Sequence, residues 1–128
     1  MAGPRLSIVV QSGEFERVHY ALAMASAALA IGRPATLFFT MGACRALLPG
    51  AADSDWARRD ADFATSKVAT FRELLPSVVT MGGRLMVCEM GLRAEGIERR
   101  ELRADLPIED GGLVTFLHDH ADGLVVMA

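Results

Sequence analysis

The chain has 128 residues, 52% hydrophobic and 23% charged, with 13 basic against 16 acidic side chains for a formal net charge of −3. That length suits one domain able to bury a core without disulfide staples, and the composition excludes a disordered or polar-linker protein. The small negative charge and the 6% aromatic content exclude a phosphate-tracking or base-stacking surface, so nucleic acid is not an expected partner.

Two cysteines, Cys44 and Cys88, stand far apart in the chain. Met1 to Pro4 has no basic segment leading into a long apolar run, so no secretory signal is read there. The longest apolar run, Tyr20 to Ile31, spans about 12 residues, well short of the ~20 needed to cross a bilayer. A soluble cytoplasmic protein with reduced thiols is the expectation.

Leu6 to Gln11 is a short apolar run ended by Ser12-Gly13, which predicts a buried strand feeding a tight turn. Phe15 to Ile31 lacks Pro and Gly and places Val18, Leu22, Ala25 and Leu29 at helical spacing before a stop at Gly32. Beyond His19 this helix is apolar on nearly every side, more than one sheet face can bury, and a subunit interface is the expected sink for the surplus. Ala35 to Thr40 repeats the strand pattern, and Ala43 to Leu48 predicts a short helix closed by Pro49-Gly50. Residues 51–66, where aspartates and arginines surround the sole tryptophan, Trp56, read as a mobile or partly helical surface excursion able to cover a crevice or dock a partner. Lys67 to Met81 is helical in spacing, with Pro76 expected to kink or break it.

Arg84 to Cys88 is a third strand, followed at once by a helical stretch over Glu89 to Gly96. Glu98 to Leu102 reads as a helical turn, Leu106 to Glu109 as a short strand, Gly111 to Ala121 as a helix and Leu124 to Met127 as a final strand. Strands apolar throughout imply cover on both faces, and helices between them imply parallel crossovers, so the expected fold is a single-domain three-layer α/β/α sandwich.

In such sheets ligands gather outside the carboxyl ends of the strands, which directs attention to Ser12-Gly13-Glu14, Thr40-Met41-Gly42 and Cys88-Glu89-Met90-Gly91. A thiolate at a helix N-terminus is favoured by roughly 0.3 to 2 kcal/mol, enough at the upper figure to bring a thiol from about 8.5 to about 7. Glu89 opposes this if its carboxylate turns toward the sulfur. Gly91 and Gly96 each cost a helix about 1 kcal/mol relative to alanine; Gly91 allows another backbone or a ligand to approach, and Gly96 ends the helix. The competing reading of Cys88 is a small buried apolar residue, and the same holds more strongly for Cys44. His19 is a further candidate donor to a sulfur anion, with an interface or partly exposed position as its plainer reading. His118-Asp119-His120 sends its imidazoles to different sides of a helix, and Ser12-Gly13-Glu14 matches no nucleotide-binding signature, so neither a metal nor a cofactor is expected.

The block from Gly82 through Cys88-Glu89-Met90-Gly91 to Gly96-Ile97 resembles the DsrE/DsrF-like family of small sulfur-relay proteins, in the branch whose reactive cysteine opens a Cys-x-Met segment. The likeness continues through Glu101-Leu102, Ile108-Glu109, Gly112 and Thr115-Phe116-Leu117, and Phe38-Phe39-Thr40 with Gly42 is similar to the family's second strand and turn. The resemblance implies a parallel sheet of about five strands, homo-oligomers such as trimers or hexamers, and a cysteine, by position Cys88, that carries sulfane sulfur as a persulfide between donor and acceptor proteins. The residues 51–66 and Cys44 have no counterpart in that pattern.

The leading expectation is therefore a sulfur carrier or sulfurtransferase with Cys88 as nucleophile. The amides of Glu89, Met90 and Gly91 would support the anion, and Ser12, Gly13 and Thr40 would wall the pocket. That reading requires Cys88 to be reachable by visiting molecules. Two alternatives stand beside it: a noncatalytic homo-oligomeric small-ligand-binding or assembly module, and a Cys44/Cys88 redox switch, which needs Cα atoms within ~7 Å.

Overall fold

The computed structural model describes residues 3–128, so Met1 and Ala2, which begin the stretch read for a signal, lie outside the described residues. Strands β1 (Leu6–Val10), β2 (Ala35–Phe39), β3 (Arg84–Cys88), β4 (Ile108–Gly111) and β5 (Leu124–Met127) form one sheet in the order β4-β3-β2-β1-β5. Every neighbouring pair is parallel. The helices are α1 (Phe15–Ala30), α2 (Ala57–Thr65), α3 (Phe71–Thr80), α4 (Glu89–Ala94) and α5 (Leu113–His120). Among the described residues no helix is long and apolar enough to cross a membrane.

Strand alternation divides the core in two. Ile8 and Val10, Leu37 and Phe39, and Leu85 and Val87 point to one face, where α1 and α3 pack side by side in the larger apolar core. The other face presents Val9, Phe38, Met86 and Cys88, closed by Phe116 of α5. Toward the amino edge that second face turns polar, with Ser7 and Thr36 buried and Arg84 bonded to Glu109 by two contacts of 2.9 and 2.6 Å. One short helix therefore covers its apolar part.

Several expectations need correction. Part of the apolar surface of α1 lies against α3, while Tyr20 and Ile31 stay exposed, so a surplus remains there. Residues 51–66 are partly helical and largely exposed, as one expectation had it, with α2 lying there, but Trp56 is buried edge-on against Phe71 and Phe15, at ring separations of 5.2 and 5.8 Å, beneath the Arg45 guanidinium. Trp56 is thus unable to cover a crevice or dock a partner. Asp60 is buried because its carboxylate accepts from the amides of Phe71 and Arg72 at 2.7 and 3.2 Å, while Thr70 and Glu73 complete a capping box on the same helix. The first turn of α3 is thereby satisfied twice over. Pro76 lies inside α3 without ending it, since burial of Leu74, Leu75 and Val78 outweighs the roughly 3 kcal/mol an interior proline costs. The segment expected as a helix from Ala43 is a 3-10 helix over Met41–Leu47, and β4 starts at Ile108 because Pro107 cannot donate to a ladder.

Candidate functional site

The loops leaving β1, β2 and β3 converge at their carboxyl ends through glycine contacts. A side-chain carbon at Gly13 would stand 2.8 Å from the Gly42 carbonyl oxygen, and one at Gly91 would stand 2.4 Å from the Met41 amide nitrogen and 2.7 Å from Thr40 Oγ1. Only hydrogen fits at these points, so α4 lies directly on the β2 loop. Met41 itself adopts φ +48°, a left-handed conformation rare for a side chain of its size. Sequence reasoning missed Met41 because nothing in a methionine announces such a backbone. Of the residues expected as pocket walls, Gly13 is therefore held on the β2 loop, and Thr40 is brought against Gly91. Ser12 is half-buried and accepts from the Glu14 amide at 3.1 Å, which turns the chain into α1.

Cys88 ends β3 and begins the turn into α4, as expected, and its thiol is free. Its environment departs from what the carrier reading expects in three respects, the first of which agrees with the competing reading of a buried apolar residue. First, the residue is 2% exposed, because its side chain falls on the second face beside Met86 and beneath Phe116, whose ring stacks on Phe38 with centroids 4.7 Å apart. Second, its side chain makes no capping hydrogen bond to the first turn of α4. Third, α4 has six residues, which gives a weaker dipole than the longer helix predicted. It stops where Gly96, at φ +68°, lets the Ile97 amide reach back to the Leu92 carbonyl at 3.0 Å.

The Glu89 carboxylate turns along the helix to Arg93, at 2.8 Å and well exposed, while Met90 faces outward. A depression of about 470 Å³ opens beside the thiol's strand end, lined by Glu89, Leu92, Arg99, Asp110, Gly111 and Gly112. Gly111 is the ladder partner of Cys88. Arg99 on its wall is held by Asp110 at 2.6 Å.

His19 is no donor to the sulfur and no interface residue. It is buried, bonded through Nε2 to the Ala69 carbonyl at 2.7 Å and set among Phe15 and Phe63. His118 is exposed beside Asp119, whereas His120 is buried against Phe116. Cys44 is fully buried in the larger core, 3.9 Å from the Phe39 carbonyl, and belongs to a different apolar cluster from Cys88. Burial foremost, with the nearby charges of Cys88 and Glu95 adding to it, pushes the Cys44 thiol up to about 12. It is a neutral core residue at physiological pH.

No family model matches the chain, and no curated protein matches it. Among solved structures it is similar to MTH1491, a protein of unknown function from Methanobacterium thermoautotrophicum. The TM-score is 0.68 at 13% identity, over 98% of this chain and 100% of that one. That likeness is one of fold: a domain of the same size matches this chain's α/β architecture, which here is built on a parallel five-stranded sheet.

Proposed function

We propose that the chain is a sulfane-sulfur carrier with Cys88 as the acceptor thiol. The observation that carries this reading is a free thiol at the carboxyl end of β3, where the loops of three adjacent strands are drawn together. The sequence likeness around Cys88-Glu89-Met90 points the same way. In the first step the Cys88 thiolate attacks a donor's sulfane sulfur; the new S–S bond forms as the donor's breaks, and the leaving group departs with the electron pair. In the second, an acceptor thiolate attacks the outer sulfur of the persulfide and Cys88 leaves as thiolate. Incubation with polysulfide or thiosulfate, followed by mass spectrometry, should show added sulfur on Cys88 and none in the Cys88→Ser variant. Equal loading of parent and variant would rule the carrier out.

The burial of Cys88 favours a second reading, a noncatalytic homo-oligomeric module. A groove of about 550 Å³ between α1 and the edge strand β5, lined by Tyr20, Met24, Val126 and Met127 with Glu14, Glu16 and Arg17 also on its wall, offers such a module a partly apolar contact surface. On this reading oligomers form and Cys88 takes up no sulfur; sizing by light scattering together with the sulfur-loading assay separates the two.

A further inference from the structure

The cover over Cys88 is thin. Of the eight residues of α5 only Phe116 and His120 are buried, while Leu113, Val114 and Leu117 are 48%, 82% and 57% exposed. The helix is clasped at its carboxyl end: Ser7 donates to the His120 carbonyl, Arg5 donates to the Asp119 carbonyl at 2.6 Å, and Arg5 pairs with Asp122 at 3.4 Å. At its amino end it follows Gly111, which lies close against Met86, and Gly112, where a side chain would point into open space. Between those ends one ring, that of Phe116, fills the space over Cys88, Met86 and Phe38. The amino end also borders the depression lined by Gly111 and Gly112.

We propose that α5 is a lid over Cys88, latched by Phe116 and opening at its amino end, where Gly112 frees the chain just beyond β4, while the clasp at its carboxyl end, the sheet and the α1/α3 layer stay in place. What the motion is for rests on Cys88 being the sulfur acceptor, but the motion can be measured without it. A helix whose amino half is held by one buried aromatic opens there at a lower free energy than the global transition and exposes little surface in doing so. Cys44, sealed in the larger core, reports global unfolding and provides an internal standard.

The experiment is alkylation of the full native chain with iodoacetamide at several low urea concentrations, each thiol being followed by mass spectrometry. Cys88 is expected to label on the order of a hundredfold faster than Cys44, at a rate nearly independent of urea, whereas the Cys44 rate climbs with urea as global unfolding does. Phe116→Ala should raise the Cys88 rate by roughly a further hundredfold, with Phe116→Leu between the two. Should Phe116→Ala fail to fold, the two thiols of the unaltered protein decide by their separate urea slopes, with Phe116→Leu as the milder variant. Cys88 and Cys44 labelling together, with one urea slope, would overturn the lid. A Cys88 that labels fast but never gains sulfur would overturn the carrier reading and leave the lid in place.

Discussion

The contact between α4 and the β2 loop makes a prediction whose sign separates two effects. Gly91 lies inside α4, where alanine is favoured by about 1 kcal/mol on helix propensity alone. On propensity, Gly91→Ala should therefore stabilise the protein. The structure demands the opposite, because the new carbon would stand 2.4 Å from the Met41 nitrogen and 2.9 Å from the Thr40 Cα, against the 3.4 Å at which ordinary contact begins. Both obstructing atoms belong to backbone, and Met41 is already in a left-handed conformation, so neither can rotate aside. Relief requires α4 to lift from the loop by about 1 Å, and overpacking of that kind costs typically ~1–3 kcal/mol. The upper part of that range prevails over propensity, leaving a net loss of about 1–2 kcal/mol. Urea unfolding at neutral pH measures it as a lower midpoint with an unchanged slope. A variant more stable than the parent by the propensity gain would show that α4 does not rest on the β2 loop as described, and the convergence of the three loops would fall with it.

Asp60→Ala should cost about 1–2 kcal/mol in the same assay, since it strips two amides of α3 of their acceptor, and Asp60→Asn should lose less. Lys67, at φ +61°, ends α2 in the position glycine usually takes, with the Val68 amide reaching back to the Phe63 carbonyl at 2.8 Å. Lys67→Gly is therefore expected to raise stability by about 0.5–1 kcal/mol, and a loss on calorimetry would contradict that geometry. The Cys44 thiol, raised to about 12 by burial, keeps its proton in the folded state after the unfolded chain has lost its own. Stability should consequently fall as pH rises above the ordinary thiol range near 9, approaching a slope of about 1.4 kcal/mol per pH unit from this group. Denaturation midpoints compared between pH 8 and 10 should show that component missing in Cys44→Ala; an identical pH dependence in parent and variant would refute it.

Chain order and element type were largely legible in the sequence because they depend on local pattern. The apolar runs at Leu6, Ala35 and Arg84 are strands, Phe15 begins a long helix, and Leu124 to Met127 is the last strand with the bounds expected. Glycine at position 96 marked the end of α4 because a left-handed residue there needs no partner from elsewhere in the chain. Trp56 and Asp60 were misread for the complementary reason. Their neighbours in sequence are charged, whereas their neighbours in space are Phe15, Phe71 and the first amides of α3.

The same division runs through the candidate site. Sequence alone located the free thiol at a strand-to-helix junction and marked Gly91 as a point of close approach, since both follow from residue type and the order of elements. Tertiary structure alone decided which face of the sheet receives the sulfur, that Met41 is held in a left-handed turn, and that Phe116, 28 positions further along the chain, closes over Cys88. Strand alternation settles the face only once a neighbouring strand and a covering helix are present, and those are long-range contacts that no local pattern encodes.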